Sequence, residues 1–163
     1  MLKIRNAEEK DLEEITKIYN NAIKNSIATF DTEEKTLEEQ KKWFKKHGPK
    51  NPIIVAELNK NVIGFASLTQ YSTRCAYSDT AELSLYLKED FRGKGFGKKL
   101  MIAIVNEGKK AGLHTVISRI TDGNEISVHL HKITGFNHVG IYKEAGCKFG
   151  KRLDVVLMQK VYE

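Results

Sequence analysis

The segment Arg92-Gly93-Lys94-Gly95-Phe96-Gly97 carries the strongest chemical signal in the chain. Its glycines stand at alternate positions and remove Cβ atoms where a backbone must approach a ligand closely. The segment follows a strand-like run and opens a helix-like one. Unpaired N–H groups and the positive end of a helix dipole therefore meet there. Arg92, Lys94, Lys98 and Lys99 add charge around the same turn. Such a turn holds an anion, with phosphate as its natural occupant. Two common phosphate loops do not fit. A Walker A loop needs a glycine five residues before its Gly-Lys pair and a hydroxyl residue after it, where Arg92 and Lys99 stand. The dinucleotide fingerprint needs a third glycine three residues after the second, and Lys98 occupies that place. The plain alternative is a strand-to-helix turn with solvated lysines.

Two side chains could move protons. Glu82 starts an otherwise apolar strand, where a carboxylate is costly unless it is paired, protonated or used. A strand-end salt bridge is the competing explanation. His131 titrates near neutrality and could serve as an acid or a relay, or could simply pack in its helix. His129, two residues away, points elsewhere and takes no role. Asn124 stands at a helix N-cap position. Trp43 reads as core. Cys75 and Cys147 form no Cys-x-x-Cys pair and no zinc site, and read as small buried or half-buried hydrophobes; no metal is expected.

These residues need elements to position them. Leu2 to Asn6 alternates as a strand, and Leu12, Ile15, Ile18, Tyr19, Ala22 and Ile23 follow at helical spacing. Thr36 with Glu39 forms a capping box for a second helix running towards Lys46, stopped by His47-Gly48-Pro49. Ile53–Leu58 and Val62–Leu68 form a hairpin around Asn59-Lys60-Asn61. The strand Glu82–Leu87 leads through the glycine turn into a helix that ends at Ala111-Gly112. Thr115–Ile120 reads as a short, β-branched, buried strand, and Ser127–Thr134 as a short helix closed by Gly135. Phe136–Tyr142 and Val155–Val161 close the chain as two strands around a loop holding Gly146 and Gly150. The order βααβββαβαββ predicts a single α/β domain over residues 1–163, built on one twisted sheet.

Composition narrows the partners. The chain has 163 residues, 27 basic and 21 acidic, for a formal charge of +6. No apolar run approaches the roughly 18 residues that a membrane span needs. The start Met1-Leu2-Lys3-Ile4-Arg5 lacks the apolar core of a signal peptide, so a cytoplasmic protein is expected. The positive excess favours an anionic partner. Basic residues are spread along the whole chain among 21 acidic ones, which argues against nucleic acid.

Arg92-Gly93-x-Gly95-x-Gly97, with its flanking strand and helix, resembles the acetyl-CoA signature Arg/Gln-x-x-Gly-x-Gly/Ala of the GNAT N-acetyltransferases. Asn124-x-x-Ser127-x-x-x-His131-x-x-x-Gly135-Phe136 resembles a second element of that family. Thr29-Phe30, Arg74-x-x-Tyr77, Thr80-Ala81-Glu82, Leu130-His131 and Lys148-Phe149-Gly150-x-x-x-Asp154 extend the likeness to its phosphinothricin and methionine sulfoximine acetyltransferase branch.

The resemblance implies a GNAT-like fold, with a mixed, mostly antiparallel twisted sheet flanked by helices. It implies acetyl transfer from acetyl-CoA to the amino group of a small molecule, an amino acid or analogue, by direct attack. Arg92, Gly93, Lys94, Gly95, Phe96 and Gly97 would hold the pyrophosphate. A bulge in the preceding strand would let Leu85, Tyr86 and Leu87 meet the pantetheine through main-chain atoms, with Asn124 and Ser127 beside it. Glu82 would be the base and His131 the acid or relay. Phe30, Arg74 and Tyr77 would line the acceptor site. Two positions depart from the branch: Ser72 stands where an arginine is often found, and Arg152 where a tryptophan is common. Cys75 and Cys147 match no nucleophile position, which disfavours an acetyl-enzyme. Relatives of this branch imply a homodimer. A protein or peptide acceptor is the alternative within the fold, and a non-catalytic module binding CoA or nucleic acid the alternative outside it.

Overall fold

In a computed structural model describing residues 1–163, every strand joins one seven-stranded sheet. The chain opens with β1 (Leu2–Asn6) and continues into α1 (Leu12–Asn25) and α2 (Leu37–Lys45). The hairpin β2 (Ile53–Leu58) and β3 (Asn61–Gln70) follows, then β4 (Thr80–Leu87) and α3 (Phe96–Lys110). β5 (Thr115–Thr121), α4 (Glu125–Ile133), β6 (Asn137–Lys148) and β7 (Lys151–Val161) complete it. The observed order is the expected βααβββαβαββ.

Local chemistry sets the ends of these elements. Thr36 Oγ1 accepts the Glu39 N–H at 3.2 Å while Glu39 Oε2 accepts the Thr36 N–H at 2.8 Å, which is the capping box that starts α2. Asp11 is buried ahead of α1, and the Arg5 guanidinium reaches it at 2.7 Å while also pairing with Glu57 at 2.8 Å. That contact ties β1 and β2 to the helix start.

The sheet runs in the order β1-β2-β3-β4-β5-β7-β6, with all neighbours antiparallel except β4 and β5. Its two faces are covered separately. Leu100, Met101 and Ile104 of α3 pack on Ile54, Ile63, Leu68 and Leu83. On the other face Leu12, Ile15 and Ile18 of α1 pack on Val55, Val62 and Phe65. Burial of these apolar side chains, about 1.5–3 kcal/mol each, holds the layers together.

The last hairpin differs from expectation. The segment read as a loop between Tyr142 and Val155 is mostly strand, because β6 runs on to Lys148 and β7 already begins at Lys151. Gly150 serves the turn at φ +73°, but Gly146 is in the strand for a different reason. A Cβ there would lie 2.2 Å from the Phe30 ring, so only glycine admits that contact. The irregularity sits at Glu144, φ +51°, whose N–H donates to Asp154 at 2.7 Å. Both cysteines are free and exposed, contrary to the buried reading. Cys147 falls on the outward side of edge strand β6, and Cys75 lies in an exposed helical turn over Cys75–Tyr77.

Candidate active site

The site grows out of the one parallel pair. β4 and β5 pair only at Thr80–Thr115, Ala81–Val116 and Glu82–Ile117, although both strands continue. Beyond Glu82 they part. The expected bulge in β4 is absent, since its register with β3 is unbroken from Ala81–Gln70 to Leu87–Gly64. The opening comes instead from the end of β4–β5 pairing.

Strand alternation decides which groups line the gap. The Lys88 N–H donates to Ile63 C=O at 2.8 Å, so even-numbered residues of β4 turn their main-chain groups towards β3 and odd-numbered ones turn away. Leu85 and Leu87 therefore present main-chain groups at the parted edge. Tyr86 does not: its main chain pairs with Phe65, which corrects the expectation for that residue. The side chains sort oppositely. Leu85 and Leu87 pack into the α3-side core, while Tyr86 packs on the α1 side against Tyr19 and Phe65 at 5.2 and 5.4 Å. Burial pushes the Tyr86 phenol up to about 12.

At the end of the gap lies the glycine turn. Gly93 and Gly95 adopt φ of +73° and +84°, and a Cβ at either would meet nothing within 4 Å. The N–H groups from Gly93 to Lys98 have no acceptor in the chain. Arg92 Nε donates to Leu87 C=O at 3.3 Å, fastening the turn to the strand end. Phe96 packs on Phe91, and Lys94 lies over the Phe91 ring at 5.7 Å. Gly97 approaches Leu130 of α4, where a Cβ would be 3.6 Å from the leucine methyl. Open space, unpaired donors and positive charge suit a diphosphate, and the free strand edge suits an extended amide-bearing arm.

Glu82 stands where the strands part. Arg119 of β5 grips its carboxylate with two donors, Nε to Oε2 and Nη2 to Oε1, the latter at 2.8 Å. The carboxylate in turn holds the guanidinium above its already high ordinary value. A cleft of about 370 Å³ opens over this pair, lined by Tyr71, Ser72, Arg74, Tyr77, Glu82 and Arg119. Tyr71 and Tyr77 meet edge to face at 5.1 Å. Arg74 and Tyr77 thus join Glu82 as expected, whereas Phe30 does not line the cleft and lies against Gly146. Arg119 and Tyr71 were not singled out in the sequence. The signal was available for Arg119, a charged residue inside the β-branched run Thr115–Ile120.

A second cavity of about 260 Å³ lies on the same face between α1, α2 and the sheet. Asp31, Glu39, Trp43, Ser84 and Tyr86 are among its lining, so Trp43 is a half-buried cavity wall and not core. Tyr19 bonds to Asp31 and to Thr29 Oγ1, and Lys148, nearly fully buried, donates to Thr29 C=O at 2.7 Å. Burial lowers the Lys148 ammonium below the usual lysine range.

His131 is not brought to Glu82. It is 5% exposed and faces the α3 side of the sheet, with Nδ1 against Ser127 C=O at 2.6 Å and Nε2 against Ser118 Oγ at 2.8 Å. The carbonyl can only accept, so Nδ1 carries the proton and Nε2 takes the serine hydrogen. Burial holds the imidazole below its ordinary value. Ser118 and Arg119 are consecutive on β5, so their side chains point to opposite faces and separate His131 from the Glu82 cleft. Asn124 Oδ1 accepts the Ser127 N–H at 3.3 Å, capping α4 beside the gap.

The geometry defines a class: an α/β protein whose parted sheet and glycine turn can take an extended, diphosphate-bearing ligand beside a carboxylate-lined cleft. Comparison with known proteins makes it particular. The family model described as an acetyltransferase (GNAT) domain matches residues 4–157. Phosphinothricin N-acetyltransferase of Streptomyces coelicolor is 31% identical over 163 residues, covering 98% of this chain and 95% of its own. The L-methionine sulfoximine/L-methionine sulfone acetyltransferase of Pseudomonas aeruginosa is 35% identical over 158 residues, covering 96% and 92%. A phosphinothricin acetyltransferase from Sinorhizobium meliloti, solved in complex with AcCoA, superposes with a TM-score of 0.94 at 33% identity, covering 98% and 88%. The chain belongs to the GNAT acetyltransferase family and is an acetyl-CoA-dependent N-acetyltransferase.

Proposed function

We propose that this enzyme, as a single domain over residues 1–163, acetylates the α-amino group of a small amino acid or analogue, of the kind named for its phosphinothricin and methionine sulfone relatives. The observation that carries this reading is the Glu82 carboxylate at the parting of β4 and β5, in one cleft with two guanidiniums. A carboxylate and arginines are the groups an ammonium and a carboxylate on adjacent atoms would need.

Acetyl-CoA supplies the acetyl thioester. The N–H groups of Gly93–Lys98 with Arg92 and Lys94 hold its diphosphate, and Leu85 and Leu87 offer main-chain partners along the pantetheine and an N–H for the thioester oxygen. Asn124 and Ser127, paired at the start of α4, are assigned to the pantetheine in the same reading. Glu82 takes the proton that the acceptor ammonium must lose before attack. In the balanced reaction the nitrogen gains the acetyl group and a second proton leaves with coenzyme A as its thiol. His131, enclosed between Ser118, Ser127 and Phe136, acts by positioning α4.

The test is an amine panel with detection of released thiol, covering amino acids, methionine sulfone, phosphinothricin and simple amines. Turnover confined to compounds lacking a carboxylate would refute the acceptor class. Glu82→Gln should lower kcat by about 10²–10⁴-fold with acetyl-CoA binding retained. The cleft is open, with Tyr71 and Tyr77 exposed at its rim, and that openness favours a peptide N-terminus as the second reading. Alanine-initiated peptides in the panel decide between them.

A homodimer is supported by edge strand β6, where Val139, Ile141 and Tyr142 are about half exposed on an unpaired edge. Light scattering on Ile141→Lys, expected to be monomeric against a dimeric parent, tests it. The free, exposed Cys75 and Cys147 suit a reducing compartment, in keeping with a cytoplasmic enzyme.

A further inference from the structure

Arg119 is a charged residue of the cleft to which the reading above gives no role in the reaction. It projects from β5 on the face shared with Glu82, two residues past Ile117, the last β5 residue paired with β4. Its side chain is 59% exposed while that of Glu82 is 24% exposed, so the guanidinium forms the outer wall over a more sheltered carboxylate. Nε and Nη2 are committed to Glu82, and Nη1 has no partner in the chain. Each Glu82 oxygen already receives one of these donors. An acceptor ammonium must therefore compete with Arg119 for the lone pairs that would take its proton.

Arg74 lies in the same cleft, its main chain held in a turn by its N–H to Ser72 Oγ at 3.2 Å and by the Tyr77 N–H to its C=O at 3.0 Å. The Arg74 guanidinium has no acceptor in the chain. The charged lining is then two cations and one anion. An entering α-amino acid brings one carboxylate and one ammonium, which leaves every charge with an opposite partner if Arg119 turns from Glu82 to the substrate. A decarboxylated amine brings only the cation and offers Arg119 nothing in exchange.

Resting on the amino-acid reading above, we infer that Arg119 is a specificity-determining residue that exchanges partners. In the free cleft it holds Glu82; with substrate bound it joins Arg74 on the acceptor carboxylate, and this frees a Glu82 oxygen for the ammonium proton. Selection for α-amino acids then comes from two effects of one side chain. The carboxylate gains a planar two-donor partner, and its arrival uncovers the base.

The experiment compares L-methionine sulfone with its decarboxylated counterpart, 3-(methylsulfonyl)propylamine, in the parent, Arg119→Gln and Arg119→Lys enzymes, with folding checked by thermal melting. The readout is the ratio of kcat/KM for the acid to that for the amine. Arg119→Gln should reduce this ratio by about 10–100-fold, the worth of a charge-assisted pair. Arg119→Lys should recover part of it, since a point charge lacks the planar fork. An unchanged ratio in Arg119→Gln, with the parent preferring the acid, overturns the role of Arg119 and leaves the acceptor class standing. A parent that acetylates the amine as well as the acid, or neither, overturns the acceptor class and the exchange with it.

Discussion

Gly95→Ala separates what the glycine turn does for the fold from what it does for the cosubstrate. Gly95 sits at φ +84°, ψ −2° as the residue before α3, and nothing lies within 4 Å of the Cβ that alanine would add. In the free enzyme the cost is backbone strain alone, about 1–2 kcal/mol for a left-handed non-glycine residue. For a chain of this size each kcal/mol moves Tm by roughly 2–4 °C, so the melting point should fall by about 2–8 °C. The added methyl also occupies the cradle itself. With acetyl-CoA at a hundredfold its Kd, the parent gains about 2.7 kcal/mol by mass action; a tenfold weaker variant gains only about 1.4 at that concentration. The control is Gly112→Ala, at φ +81° with equally open surroundings. It lies beyond the other end of the 15-residue α3, about 22 Å away, and carries the same strain without the cradle. Differential scanning calorimetry of both variants with and without acetyl-CoA is the assay. If Gly95→Ala gains as much from acetyl-CoA as Gly112→Ala does, the turn does not hold the cosubstrate.

Other perturbations probe the frame around the site. Lys148→Met removes the donor at 2.7 Å from Thr29 C=O and should cost about 1–3 kcal/mol in urea denaturation. Because Thr29 precedes the cavity residue Asp31, its acceptor KM should rise more than its KM for acetyl-CoA. Gly64→Ala would place a Cβ 2.9 Å from Tyr86 C=O and 2.7 Å from Leu87 Cδ1, forcing β3 and β4 apart at the strand edge offered to pantetheine. A stability loss of about 1–3 kcal/mol and a raised KM for acetyl-CoA are expected, by melting and steady-state kinetics. Burial lowers both His47 and His131, so the unfolded chain binds their protons first as the pH falls below about 6.5. Their contribution is complete above that pH and is lost on acidification towards the folded values, by up to about 1.4 kcal/mol per pH unit for each. His131→Gln should flatten the acid limb of a stability–pH curve.

What could be read from the sequence was what local rules decide. The glycine turn announces itself because positive φ and close approach are properties of consecutive residues. The capping box of Thr36 and Glu39, and the order of elements, follow from spacing in the same way. Pairings across the sheet do not. Glu82 and Arg119 are 37 positions apart and meet only through the parallel register Glu82–Ile117, which no pattern in either segment reports. Gly146 reads as a loop breaker until the Phe30 ring is found against it. His131 and Glu82 look like an acid–base pair in one dimension. The odd–even alternation of β5 puts them on opposite faces, with Ser118 turned to the histidine and Arg119 to the glutamate.

The same alternation lets β4 serve two substrates at once. In a pleated strand, side chains stand perpendicular to the sheet while main-chain groups lie in its plane. Glu82, Ser84 and Tyr86 turn their side chains to the acceptor face, where the cleft and the second cavity lie. Leu85 and Leu87 bury theirs under α3 and leave main-chain groups at the edge that β5 abandons. Acceptor recognition can therefore change residue by residue without disturbing the edge for acetyl-CoA, because the two use different directions of one strand. Ser84→Ala illustrates the division. It alters a cavity wall but no main-chain donor, so an effect on acceptor KM with KM for acetyl-CoA within about twofold is the expected result. A change confined to acetyl-CoA would contradict it, since Ser84 turns its main chain to Ser67 of β3 and away from the gap.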